Sequence, residues 1–245
     1  MLLMPRIRPV LAGLLVVGAV ALTSCGQEVS GEAQPVAGNA GACDAAVMVV
    51  LDVSLSMEAT DVAPSRFVAA KQAVRDFADG LPEDTRLGLV TFAGTASVQS
   101  WPDTDRRAFT NALESVKLAE RTATGEGLYS GLSSFSGLPE GEVPQRIILV
   151  SDGKQTVPAS LDDPRGAYTA ARDAQRKNVR ISTISLGTQG GFVEVPGSSG
   201  APAQQVRVPT DPESLREIAR LADGDFHEAA SPERLAAAFD AMTCS

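Results

Sequence analysis

Three strand-like segments, two of them runs of adjacent apolar residues, constrain this chain more than any other feature. Val179–Leu186 mixes Val, Ile and Leu with Arg, Ser and Thr, whereas Ala46–Leu51 holds hydrophobic side chains at consecutive positions and Arg146–Val150 does so after its arginine. A strand of that kind is buried on both faces, which happens in parallel sheets covered by helices. Between the runs the period changes. Pro64–Asp79 places Phe67, Ala70, Val74 and Phe77 at helical spacing, and Asp105–Val116, Gly125–Phe135, Arg165–Lys177, Asp211–Leu221 and Pro232–Met242 also read as helices. Arg86–Phe92 reads as a further strand, Thr95–Gln99 as its hairpin partner, and Asp225–Glu228 as a short last strand. Gly190–Pro209 is rich in Gly, Pro and Ser, with Phe192–Val195 and Gln205–Val208 at its ends; it reads as a small hairpin excursion or a surface loop. The alternation predicts an α/β fold: a doubly wound, mainly parallel central sheet with one antiparallel edge strand and helices on both faces. Ligands of such sheets sit beyond the carboxyl ends of the strands, near a switch in strand order. The segments after Leu51, Phe92, Val150 and Leu186 are therefore the ones to inspect.

The chain has 245 residues, enough for one sizeable domain, and a net charge of −9. An acidic surface repels phosphate backbones, which argues against nucleic acid as a partner. A single histidine, His227, excludes multi-histidine metal centres and leaves little material for a Ser-His-Asp triad. Residues 1–24 read as a targeting segment. Arg6 and Arg8 precede an apolar run, Val10–Leu22, that is too short to cross a bilayer as a mature helix. The run ends in Leu22-Thr23-Ser24-Cys25, which resembles a bacterial lipobox. That resemblance implies cleavage before Cys25, lipidation of its thiol, and anchoring on the outer face of the cell membrane; the plainer alternative is a signal peptide followed by an incidental cysteine. Residues 25–42 read as a flexible tether and 43–245 as the domain. Cys43 and Cys244, an even pair in an exported chain, suggest a disulfide joining the domain's two ends.

Chemistry concentrates at two strand ends. Asp52-Val53-Ser54-Leu55-Ser56 follows the first apolar run, and Ser151-Asp152-Gly153 follows a later one. Between them, Thr122-Ala123-Thr124-Gly125 precedes a helix. Two carboxylates and several hydroxyls, with no imidazole or thiolate, form a hard oxygen site suited to Mg²⁺, Mn²⁺ or Ca²⁺. Taken singly these residues have plainer readings: Asp52 as a turn carboxylate, Ser54 and Ser56 as capping hydroxyls, Thr124 as the cap of the next helix. Glu58 and Asp61 lie close enough to tune the site but read first as a solvated loop; His227 reads as structural or exposed, and Trp101 as packed, with a rim role as the alternative.

Taken together, Asp52-x-Ser54-x-Ser56, Thr122 and Asp152-Gly153 resemble the metal-ion-dependent adhesion site of von Willebrand factor type A (VWA) domains, whose fold is Rossmann-like. Met57–Arg66 and Val208–Asp211 are further similar to bacterial VWA proteins of the aerotolerance type. The resemblance implies that Ser54 and Ser56 ligate the cation through their hydroxyls. It also implies that Thr122 does so directly or through water, and that Asp52 and Asp152 act largely through water or as charge balance. Leu55 stands where many family members have glycine. The implied cofactor is Mg²⁺, with Mn²⁺ or Ca²⁺ as alternatives, and the implied partner is a protein presenting Asp or Glu to the metal. The expectation is a membrane-anchored binding domain serving adhesion, complex assembly or envelope scaffolding, not an enzyme, with no small-molecule substrate. One rival is a phosphoesterase using Asp52 as nucleophile; it needs a second acid two residues on, where Ser54 stands. Another is a lipoprotein whose metal only stiffens loops.

Overall fold

The computed structural model describes residues 46–138, 143–195 and 202–242. The targeting segment, Cys25, the tether and the Cys43–Cys244 pair lie outside the described residues. The domain is built on a six-stranded sheet: β1 (Ala46–Asp52), β2 (Arg86–Phe92), β3 (Ala96–Asp103), β4 (Gln145–Ser151), β5 (Arg180–Leu186) and β8 (Phe226–Ala229). The order is β3-β2-β1-β4-β5-β8, parallel throughout except for β3, which runs antiparallel to β2 at the edge. A two-stranded ribbon, β6 (Phe192–Val195) with β7 (Gln204–Arg207), stands apart from that sheet.

Every residue of β1 is buried, as its unbroken apolar run requires. Successive side chains leave opposite faces of a strand, and the two hydrophobic cores divide accordingly. Val47, Val49 and Leu51 join the core under α1 (Arg66–Gly80), α2 (Arg106–Ser115) and α6 (Pro232–Met242). Ala46, Met48 and Val50 join the core under α3 (Thr124–Ser133), α4 (Ala167–Arg176) and α5 (Pro212–Leu221). Buried Arg146, at the start of β4, donates to the carbonyl of Met242 at 2.7 Å and so ties the last turn of α6 to the sheet.

Two elements differ from the sequence reading. β3 runs on to Asp103 instead of stopping near Gln99, because an edge strand pairs on one side only and tolerates Pro102 with its missing N–H. Its alternating burial leaves Trp101 62% exposed, so Trp101 is a surface residue and not a packed one. The excursion at Gly190–Pro209 does form a hairpin, with β7 one residue earlier than expected.

β1 pairs with β2 on one side and β4 on the other, so the strand order reverses between β1 and β4. The carboxyl ends of these two strands are Asp52 and Ser151, which places the sequence's candidate residues at the switch point.

Close helix-on-sheet packing beside that point depends on small residues. A Cβ on Gly127 of α3 would stand 2.8 Å from the Phe92 ring and 3.1 Å from Val50. Gly127→Val is expected to cost about 1–3 kcal/mol in urea unfolding. Gly80→Ala, where nothing lies within 4 Å, is expected to gain about 0.5 kcal/mol. Equal midpoints for the two would contradict this packing.

Candidate metal centre

The site begins where β1 stops. Asp52 is fully buried, and both of its oxygens are engaged: the Ser54 N–H donates to Oδ1 at 2.8 Å and the Ser151 hydroxyl to Oδ2 at 2.6 Å. Thus the last residue of β4 fastens the last residue of β1. The chain then turns through a 3₁₀ segment, Leu55–Glu58. Ser54 stands at the N-cap of that segment but makes no capping bond with its side chain. Its hydroxyl instead lies 2.9 Å from that of Ser56. This removes the capping reading for the pair: the two hydroxyls face each other.

Thr122 arrives on a loop stitched to the same strand ends. The Ala119 N–H donates to the Val53 carbonyl at 2.8 Å, and the Ala123 N–H to the Ala93 carbonyl at 2.6 Å. The Thr122 backbone is bonded on both its polar sides, donating to the Thr156 hydroxyl at 2.9 Å and accepting from the Thr156 and Val157 amides. The Thr122 side chain is buried and its hydroxyl takes no part in these bonds. Thr124 does not cap α3, whose N-cap is Ala123; its own hydroxyl is buried without a hydrogen-bond partner. Asp152 follows β4 and is 2% exposed. It accepts at 3.1 Å from Arg66 Nη1, and the nearby Ser56 hydroxyl and Lys154 amide favour its charged form.

Burial sets the electrostatics. It is the main force pushing the Asp52 carboxyl up to about 7, with the charge of Asp152 adding to it against the bonds from Ser151 and Ser54. Burial raises Asp152 as well, against Ser56 and Arg66. Asp61 goes the other way. Its partial burial is outweighed by hydrogen bonds from Arg66 and Thr188, which hold it below the ordinary carboxylate value. With all groups ionised, three carboxylates (Asp52, Asp152, Asp61) face one guanidinium (Arg66), leaving two negative charges. That balance matches a divalent cation, and hydroxyls with carboxylates are the oxygen donors that hard cations take.

From the sequence, Asp61 reads as part of a solvated loop and Arg66 has no role. In the structure Arg66 is fully buried, with Nε and Nη2 each 2.8 Å from Asp61. Two signals are available: Arg66 closes the Met57–Arg66 segment that resembles aerotolerance-type VWA proteins, and an arginine opening a helix sits where the dipole disfavours a cation, so some other interaction has to hold it there. Glu58 is exposed, as a solvated loop residue would be. His227 is remote from the site in sequence and lines a separate cavity of about 420 Å³ with Phe226, Glu228 and Arg234. Among the described residues, no cluster of three or more His, Cys, Asp or Glu offers a rival centre.

Residues 47–155 match the family model of the von Willebrand factor type A domain. An aerotolerance-related membrane protein from Bacteroides fragilis superposes with a TM-score of 0.68 at 24% identity, covering 80% of this chain and 96% of that one. The fold is that of a VWA domain. A UPF0353 protein from Nocardia farcinica is 53% identical over 207 residues, which cover 81% of this chain and 62% of that protein, so the present chain spans less than two thirds of that relative. The proximal thread matrix protein of the mussel byssus, solved with a zinc-occupied MIDAS motif, matches the VWA domain at TM-score 0.59 and 20% identity, covering 82% of this chain and 45% of that one. Among the described residues, no helix is long and apolar enough to cross a membrane.

The raised Asp52 carboxyl fixes a pH dependence. Because the folded state holds that proton more tightly than the unfolded one, stability is highest below about 4 as far as this group is concerned, and is lost as the pH rises toward about 7. Asp61 acts oppositely, but only below the ordinary carboxylate range. In chelator, the thermal midpoint is expected to fall by several degrees between pH 5 and pH 8. A midpoint that rises over that interval would contradict the burial of Asp52.

Proposed function

We propose that the domain holds a divalent cation among Ser54, Ser56, Thr122 and Asp152, with Asp52 as buried charge balance, and through it binds an acidic residue of a protein partner. Mg²⁺ is the proposed ion, with Mn²⁺ or Ca²⁺ as alternatives. The observation that carries this reading is the pair of buried, raised carboxylates beside two facing hydroxyls at the switch point of the sheet. A bound divalent ion would supply a directed positive charge that an incoming carboxylate can complete. The zinc-occupied motif of the mussel protein supports metal binding by this fold. The half-buried Ser56 and the exposed Leu55 put the site at the surface, within reach of a macromolecule.

Lipid at Cys25 would hold the domain on the outer face of the cell membrane; the Bacteroides fragilis relative, described as a membrane protein, supports membrane association. An adhesive or assembly role fits a tethered binding domain better than catalysis does. Asp52 has both oxygens bonded, to Ser54 N–H and to the Ser151 hydroxyl, which is poor presentation for a nucleophile. The position two residues on, where a phosphoesterase of that kind needs an acid, is a serine hydroxyl bonded to Ser56.

Calorimetric titration of Mg²⁺ and Mn²⁺ into the chelated protein tests the metal. One site is expected in the parent. Ser54→Ala and Asp152→Asn are expected to lose about tenfold or more in affinity, while His227→Ala is unchanged. Affinity should also fall as the pH drops below about 7, because a proton on Asp52 competes with the cation. No heat from the parent, or equal binding by all variants, would refute the assignment.

A further inference from the structure

Arg66 is among the largest fully buried side chains of the described domain, and the metal reading uses only its charge, not the directions of its donors. Its guanidinium is bonded on every side. Nη1 donates to Asp152 at 3.1 Å; Nε and Nη2 donate to the two oxygens of Asp61, each at 2.8 Å. Nη2 also donates to two backbone carbonyls, Val208 at 3.0 Å and Thr188 at 3.3 Å. These carbonyls belong to the two stems of the β6–β7 ribbon: Thr188 leads into β6 and Val208 leads out of β7. Asp61 reinforces the first stem by accepting from the Thr188 amide at 2.7 Å and its hydroxyl at 2.8 Å. The stems are joined to each other through the Val208 amide and the Gly191 carbonyl, 2.9 Å apart. Beyond Val208, the Asp211 amide donates to the Asp152 carbonyl at 2.7 Å.

The backbone makes room for this one side chain. Gly187 has φ +115°, and a Cβ there would stand 2.3 Å from Arg66 Nε. A Cβ on Gly191 would stand 2.0 Å from Arg66 Nη2. Two glycines at the foot of the ribbon are thus fitted to the guanidinium. Arginine also suits this position chemically, because its planar fork presents five donors in fixed directions, whereas lysine is a point charge on a flexible stem. The ribbon's strands pair only with each other, β6 also lies against the 3₁₀ segment Leu55–Glu58, and most of its residues are exposed, including Phe192, Val195 and Val206.

We propose that Arg66 is a positioning residue that couples the metal site to the β6–β7 ribbon. It holds Asp152 at one end and both ribbon stems at the other. A cation that fixes Asp152 therefore fixes the guanidinium, and through it the ribbon with its three exposed apolar side chains. Coupling of this kind is reciprocal: whatever orders the ribbon also favours the loaded site. The inference rests on the proposed binding of a divalent cation and adds a consequence which that binding alone does not have.

Hydrogen exchange of the ribbon amides, with and without saturating Mg²⁺, tests the coupling in the whole protein, beside calorimetry on the same samples. In the parent, Mg²⁺ is expected to slow exchange over 192–195 and 204–207 by about fivefold or more. Arg66→Lys keeps a positive charge next to Asp152 but cannot reach both stems. It should bind Mg²⁺ and lose the metal-dependent slowing. Asp61→Asn leaves Asp152 untouched, provides a second variant should Arg66→Lys fail to fold, and should lose most of the slowing as well. If the parent binds Mg²⁺ while ribbon exchange is unchanged, or is slowed equally in both variants, the coupling is overturned and the metal site stands. If calorimetry finds no Mg²⁺ binding by the parent, the metal reading and the coupling fall together.

Discussion

Asp52 ends β1 and Asp152 directly follows its neighbour β4, both are withdrawn from water, and the charge of Asp152 raises the carboxyl of Asp52. Burying an uncompensated carboxylate costs several kcal/mol, and burying two together costs more than the sum, because each repels the other. The fold meets part of that cost with hydroxyls and amides: the Ser54 N–H and the Ser151 hydroxyl donate to Asp52, and the Ser56 hydroxyl and Lys154 amide favour the charged form of Asp152. It meets another part with Arg66. What remains is a deficit of positive charge at the mouth of the sheet. The surrounding arrangement, from the 3₁₀ turn after Ser54 to the loop that delivers Thr122, brings donors and hydroxyls around those two groups.

The same constraint explains why the site lies where it does. A parallel sheet with both faces covered offers polar access only at its strand ends, and the reversal of order between β1 and β4 opens a crevice there. Residues of β1 must be apolar up to Leu51 because both cores claim them. Asp52 is the first position at which polar chemistry can begin. The same boundary operates on β4, where Val150 is core and Ser151 and Asp152 are site.

Much of this is legible in the sequence because burial on two faces leaves unbroken apolar runs, and because the metal motif falls immediately after two of them. Strand and helix positions agree to within a few residues for that reason. β3 reads too short because its polar edge residues and Pro102 carry no apolar signal. Thr124 reads as a cap from its place before a helix, whereas tertiary packing buries its hydroxyl instead. Arg66 and Asp61 stay hidden for a different reason. Their partners are 86 and more residues away along the chain in Asp152, Thr188 and Val208, and no local pattern announces such contacts. Long-range ion pairs belong to the folded topology, so the loop that reads as solvated is in fact part of the support of the site.

Whether these strand ends hold one divalent cation is tested most directly by anomalous diffraction from crystals of the protein soaked in Mn²⁺, because manganese marks its own position. The expected result is a peak enclosed by the hydroxyls of Ser54, Ser56 and Thr122 and the carboxylate of Asp152. A fully occupied peak elsewhere, or none at this place at saturating Mn²⁺, would contradict the proposed site.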